Sequence, residues 1–319
     1  MRKLLDSYRR RLTNYESVMA YSVLGVVGGL ASGIVVLAFE LSIVELATLF
    51  GVGGNGEDFE SLPTWLHFAL PVTGAAVLGL AYAMLRPETR EVGIVHVLSR
   101  MDSHYGAMPW RNGLVQFAAG SFALATGQSG GREGPGVHLG AAVNSWLGQR
   151  LGLPNTSLRI LIACGTAGGI SAAFHTPLAG VIFAMEVIIA EYTVVGFIPV
   201  MLAAVSASAI SRALPGAGTV FTIPPTELKS LLEIPFIMLV GFCCGLAVTC
   251  FVRLTAYVSR FSRFNVALRF SVAGLITGSI ALWVPGILGI GYDTLDKVLD
   301  GEIAITLLLT LAFCKLVAT

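Results

Sequence analysis

Charge is scarce in this sequence. Only 12% of its 319 residues are Asp, Glu, Lys or Arg, against about 25% in ordinary soluble domains. A soluble fold with so few charges could not cover its own surface, whereas a bilayer allows the outside of a protein to be apolar. The few charges nearly cancel, with 20 Lys and Arg against 19 Asp and Glu and a net of +1. Such a chain offers no basic field to hold phosphates, which excludes a nucleic-acid partner. Cysteine is sparse and unpatterned as well. Cys164, Cys243, Cys244, Cys250 and Cys314 all fall in apolar runs, with no CxxC and no metal-ligand spacing, so they read as small buried hydrophobes. A cleavable signal is not expected: Asp6, Tyr8 and Asn14 interrupt the start, and the following apolar run is too long for a signal core.

What the sequence has in abundance is apolar and glycine residues, 55% and 37 residues respectively. Glycine at this level suits close helix packing and interrupted helices inside a membrane. Arg2, Lys3, Arg9, Arg10 and Arg11 mark residues 1–18 as a basic amphipathic helix on the cytoplasmic membrane surface. Long apolar runs follow at about 20–50 and 66–85, either side of an acidic, glycine-rich loop. The first exceeds the roughly 20 residues needed to span and is expected to tilt, and after the second Arg86 and Arg90 return the chain to the cytoplasm. The pattern then changes to short stretches at about 114–126, 136–151, 158–174, 178–190 and 194–210. Broken helices at membrane depth are tolerated where they line protein or a wet cavity. Later runs are expected at about 234–258, 272–284 and 303–317, with Arg253, Arg260, Arg263 and Arg269 on a cytoplasmic connection.

A faint repeat runs through this text. EVGIVHVLSRM early and GIGYDTLDKVL late each set a Gly-led amphipathic segment between two apolar ones. The arginines give the two copies opposite orientation, as in inverted-repeat transporters. The expected organisation is a surface helix over 1–18, a first transmembrane repeat over 19–213, an extracytoplasmic loop over 214–229, and the truncated start of a second, inverted repeat over 230–319. The fold class is all-α, a polytopic membrane protein with short broken helices and an incomplete second repeat.

The segment that carries chemistry is Gly127–Leu139, GQSGGREGPGVHL. Its glycines expose backbone N–H groups where a helix begins, and the helix terminus adds positive potential; together these hold an anion without a metal. Pro135 fits the first turn, where its missing N–H costs nothing. Glu133 sits at the same terminus. Two readings are open from the residues alone. Its carboxylate occupies the anion's place and leaves on protonation or displacement, or it merely favours a helix N-terminus by about 0.3–1 kcal/mol.

GREGP at Gly131–Pro135 resembles the signature of the chloride channel (CLC) family of anion channels and anion/proton antiporters. GTAGGISAAFHTPLAGVIFAMEV, from Gly165 to Val187, is similar to the family's next two helices, and KLVAT at Lys315–Thr319 resembles the helix before its second glycine-rich motif. The resemblance covers nearly the whole chain. It implies that Glu133 is the gating glutamate and that Gly131, Arg132, Gly134 and Pro135 frame the anion. The family's first motif, GSGIP, falls at EVGIV, residues 91–95. Gly93 and Ile94 agree, so their amides are implied to bind the anion, whereas Val92 replaces the pore serine and Val95 the proline. In proton-coupled members an inner glutamate follows the position of Glu186; here Val187 stands there, which favours passive, channel-like conduction over proton exchange. The second glycine-rich motif and a pore tyrosine would lie beyond Thr319. The resemblance further implies a homodimer with interface helices near Leu178–Ile210, membrane lipid as a partner, a plasma-membrane location, chloride or another small anion as the transported ligand, and no cofactor.

A rival class is a membrane enzyme. GQSG at Gly127–Gly130 matches the GxSG of intramembrane serine proteases, with Ser129 as nucleophile and His175 as base. His96, His138 and His175 lack metal-ligand spacing and are expected to be structural. Asn155-Thr156-Ser157 reads as a glycosylation acceptor on the wrong side of the membrane. Lys315, deep in an apolar run, either snorkels or pairs with groups outside this sequence.

Overall fold

The computed structural model describes residues 18–53, 56–190, 193–213, 230–301 and 303–319. The surface helix expected before Val18 and the loop expected over 214–229 lie outside the described residues. Among the described residues every regular element is a helix. In chain order they are α1 Val18–Leu49, α2 Thr64–Met84, α3 Gly93–Ser103, α4 Trp110–Ala125, α5 Glu133–Arg150, α6 Asn155–Phe174, α7 Pro177–Phe183, α8 Val194–Arg212, α9 Glu233–Ser259, α10 Val266–Ala281, α11 Tyr292–Leu299 and α12 Ile305–Ala318. A π-helical turn, Ala184–Ile189, continues α7.

The apolar runs of the sequence become these helices with shifts of a few residues. The largest shift is at α10, which starts at Val266, six positions before the run expected at 272. Asn265 explains it: its side-chain oxygen accepts from the backbone N–H of Ala267 at 3.0 Å, so the helix is capped early and Arg269 lies inside it. Among the described residues five helices are long and apolar enough to cross a membrane: α1, α2, α6, Val195–Arg212 of α8, and α9 with its 3-10 extension to Arg263. At 32 residues, α1 is about 48 Å long, well beyond an apolar layer of about 30 Å.

The chain divides into two compact units. The first takes residues 1–57, 85–126 and 130–220 and holds α1, α3, α4, α5, α6, α7 and α8. Its core depends on small residues. Gly25, Gly29 and Gly33 recur every fourth residue along α1, facing the backbones of Pro199, Ala203 and Ala207 on α8. A side chain at Gly25 or Gly29 would collide with the neighbouring main chain, and one at Gly33 would press tightly against it. Spacing of this kind lets helices without a hydrophobic drive between them associate through dispersion contacts. Gly140 of α5 and Gly165 of α6 meet in the same way, each against the other's carbonyl. Asn144 fastens this crossing: its Nδ2 donates to Gly140 O at 2.9 Å, to Ser32 Oγ at 2.8 Å and to Gly28 O at 3.1 Å. Ser32 Oγ in turn donates to Gly165 O at 3.2 Å.

The second unit takes residues 58–84, 127–129 and 221–319. There α2 packs on α10, with Gly274 and Gly278 against Pro71, Val72 and Phe68, and Tyr82 stacks on Phe270 at 5.1 Å between ring centroids. Lys315 of α12 neither snorkels nor waits for an absent partner. Its ammonium donates to the carbonyls of Ile287, Gly289 and Ile290 at 3.2, 2.9 and 3.0 Å. These bonds hold the loop in front of α11, where Gly289 and Gly291 adopt φ of +61° and +88°. Gly93, leading the corresponding early segment, has φ +78°. Both Gly-led amphipathic segments of the sequence are therefore short helices entered through left-handed glycine, a conformation other residues adopt only with strain.

Candidate functional site

The candidate site lies in the first unit, where the N-termini of α3 and α5 leave their first backbone N–H groups without helical acceptors. The approach to α3 is fixed by Asn112 of α4. Buried to 1% exposure, it donates from Nδ2 to Glu88 O at 2.7 Å and to Glu91 O at 2.8 Å. Val92 precedes α3 in an extended conformation and makes no side-chain cap. A methyl group built on Gly93 would meet nothing within 4 Å, and the same is true at Gly134. Open space therefore lies beside both glycines.

Glu133 is the first residue of α5. Its carboxylate folds back over Gly131, filling the place a side chain there would take. Pro135, in the first turn, removes a donor that would have had no acceptor, and the helix's hydrogen bonding is established where Gly136 N–H donates to Arg132 O at 2.8 Å. Arg132 reaches α1. Its Nη1 lies 3.1 Å from Glu40 Oε1 of α1, with side-chain exposures of 14% and 21%, and its guanidinium sits 5.9 Å from the centre of the Phe174 ring. In the sequence Glu40 is only an acidic residue near the end of a long apolar run. Its pairing joins positions 92 residues apart, which no local pattern signals.

Ile94 is the second residue of α3, and Val95 after it is 78% exposed. Glu186 and Val187 lie in the π-helical turn after α7, Val187 at 39% exposure. Ser129 belongs to the second unit, where its hydroxyl is 3.0 Å from Thr319 Oγ1. His175 caps α6 with φ +55° and accepts on its carbonyl from Arg212 Nη2 at 2.8 Å. The serine hydroxyl is thus engaged by threonine. Among the described residues no group of three or more His, Cys, Asp or Glu comes together as a metal site.

Known proteins resemble this chain in sequence and fold. Residues 73–319 match the family described as voltage gated chloride channel. A putative chloride channel protein ClcB-like from Ralstonia nicotianae is 28% identical over 300 residues, 91% of this chain and 70% of that protein. The H(+)/Cl(-) exchange transporter ClcA of Vibrio vulnificus is 28% identical over 330 residues, 98% of this chain and 70% of its own length. The fold resembles that of a slow cyanobacterial Cl-/H+ antiporter, with a TM-score of 0.74 at 19% identity, covering 93% of this chain and 73% of the other. A CLC-type fluoride/proton antiporter gives 0.74 at 24% identity, covering 95% and 77%. With the all-α architecture, five spanning-length helices and the GREGP turn at the head of α5, these matches show that the chain belongs to the voltage gated chloride channel family, whose members are integral membrane proteins.

Proposed function

We propose that this protein carries chloride or another small anion across a membrane in exchange for protons. The observation that carries the proposal is the carboxylate of Glu133, held at the N-terminus of α5, with open space beside Gly134 of the same turn and beside Gly93 at the head of α3. Free amides and the positive end of a helix favour negative charge there. Ionised, the carboxylate competes with the anion for those donors. Protonated, it loses its attraction to them and yields the place, so that one proton moving on and off Glu133 alternates with one anion moving through. The amides near Gly93, Ile94 and Gly134 replace the anion's hydration shell, while Arg132, paired with Glu40, sets the backbone of the turn rather than contacting the ion.

Val187, which cannot carry a proton, implied passive conduction. The Vibrio relatives, described as H(+)/Cl(-) exchange transporters and aligned over 98% of this chain, favour coupled exchange instead. With exchange, the inner half of the proton's route runs through a group other than a glutamate at position 187. The protein acts as a homodimer with one pathway per subunit. Leu178 and Ile182 on α7, and Met201 and Val205 on α8, form exposed apolar ridges at four-residue spacing that support an interface there; crosslinking of single cysteines at these positions tests it.

The deciding experiment records chloride efflux and pH together from liposomes carrying the full-length protein. Proton uptake in fixed ratio to chloride release is the expected result. Chloride movement with no accompanying proton movement would restore the channel reading and give Val187 its simple meaning. Glu133→Gln is expected to uncouple the two fluxes and remove the pH dependence of chloride transport.

A further inference from the structure

Behind the two helix termini lies a pair of imidazoles with no part in the cycle above. His96 is three residues past Gly93 in α3, and His138 four residues past Gly134 in α5. Their rings are 3% and 0% exposed. His96 Nδ1 lies 2.9 Å from His138 Nε2, and Arg100 Nε lies 3.3 Å from His96 Nε2. Glu91 is farther from that same nitrogen, at 3.9 Å.

Donor and acceptor roles follow from these contacts. A guanidinium only donates, so His96 Nε2 accepts and the ring's proton resides on Nδ1. That N–H donates to His138 Nε2. Neutral His138 then carries its own proton on Nδ1, and this atom is buried without a hydrogen-bond partner among the described residues. A buried donor left unmade is costly, and an orphan of this kind in a folded protein calls for a ligand, ion or water. The chain of bonds has a direction. It begins on a cation, passes through two polarisable rings and ends on a free N–H, each bond strengthening the next.

Helix geometry indicates which turn the free N–H faces. Side chains on a helix lean toward its N-terminus, over the turn before their own Cα. His138 therefore leans over the turn that begins at Gly134, and His96 over the turn that begins at Gly93, the two positions with open space beside them. In the same place Val92 supplies no hydroxyl.

We propose that the Nδ1–H of His138 donates a hydrogen bond to the dehydrated anion beside Gly134 and Gly93, with Arg100 polarising that bond through His96. The proposal rests on the anion-transport reading and adds to it a side-chain donor where the pore hydroxyl is absent.

Two substitutions separate donation from bracing. In His138→Gln the amide oxygen stands in for Nε2 and still accepts from His96, so the brace between α3 and α5 remains while the second donor is lost. In His138→Asn the amide nitrogen stands in for Nδ1, so a donor remains while the brace is lost. Chloride binding to the purified full-length protein is measured by calorimetry, and stability by thermal unfolding. For His138→Gln we expect chloride affinity to fall about tenfold, the equivalent of one hydrogen bond to a charged group, with near-normal unfolding. For His138→Asn we expect the reverse order of effects. Wild-type affinity in a folded His138→Gln protein overturns the proposal. A wild-type protein that binds no chloride would instead overturn the transport reading, and this inference with it. Should either variant fail to fold, nitrogen-15 histidine spectra of the wild-type protein decide: chloride must shift the His138 Nδ1 resonance, and an unmoved resonance overturns the proposal.

Discussion

The carboxylate of Glu133 lies against the bare α-carbon of Gly131, in the space that a methyl group at residue 131 would occupy. Gly131 does not have a positive φ, so its backbone would accept alanine without strain. What alanine would disturb is the resting place of one flexible carboxylate.

Gly131→Ala is therefore a way to move the proposed gate without removing it. Transport at neutral pH is expected to rise and its pH dependence to flatten, in the direction of Glu133→Gln. Stability should stay within about 0.5 kcal/mol of the wild type, as for other surface substitutions. Flux assays over a range of pH, beside thermal melts, check both halves. A pH profile unchanged from wild type would mean that Glu133 does not depend on the space above Gly131.

The Arg132–Glu40 pair gives a second test. Both groups are mostly buried, and their contact is 3.1 Å. Removing one member of a buried pair strands the other charge, at a cost of about 3–5 kcal/mol. Glu40→Gln should fall toward the lower end of that range, since both side chains keep some exposure. Pairing it with Arg132→Gln should recover part of the loss, because no stranded charge then remains. Unfolding midpoints of the two single variants and the double variant supply the measurement, and strict additivity would argue against a coupled pair.

These residues also mark where local sequence stops being informative. Gly131–Pro135 is a contiguous motif with its own helix start, so a carboxylate at a glycine-rich helix N-terminus is legible from the residues alone. Helix existence is legible too, because apolar runs of spanning length have few alternatives in a chain this poor in charge. The partners are not. Glu40 meets Arg132, and His96 meets His138, through helix packing across 92 and 42 positions, and neither pairing leaves a local period. The histidines read as structural because metal spacing is absent, a criterion blind to two helices running side by side. Lys315 binds backbone carbonyls, which every residue possesses, so no partner can be named from side chains. The early start of α10 does carry a signal, the asparagine cap at Asn265, masked by the arginine that follows it.

In the second unit, α11 carries a polar cluster. Lys297 hydrogen-bonds to Glu60, and that bond raises its pKa most. Burial first, and the neighbouring Asp58 next, raise the pKa of Asp293. An acid whose pKa is raised by folding opposes the folded state once it ionises, and has no such effect below its unfolded range near pH 3.9. Asp293→Asn should therefore raise the melting temperature at pH 7, with the gain shrinking as pH falls through about 4. Lys297 has the other consequence of a raised pKa: its contribution is complete at neutral pH and is lost only as pH rises through its elevated value. Melts of the wild type and Asp293→Asn between acid and neutral pH check the first sign. A gain that grows toward acid pH would reverse the assignment.

Val92→Ser tests the anion path from the α3 side. Val92 precedes α3 in extended conformation without capping it, and serine is a strong cap, worth about 0.5–2 kcal/mol. A serine hydroxyl can accept from a first-turn amide and donate outward through its own proton at the same time. Capping and anion contact are thus compatible, and two readouts separate them. Capping alone raises the melting temperature and leaves selectivity unchanged. A hydroxyl that also faces the ion raises the preference for chloride over nitrate, because the smaller anion gains more from a close donor. We expect both changes. A raised melting temperature with an unaltered permeability ratio would place residue 92 at the helix start but off the path of the ion.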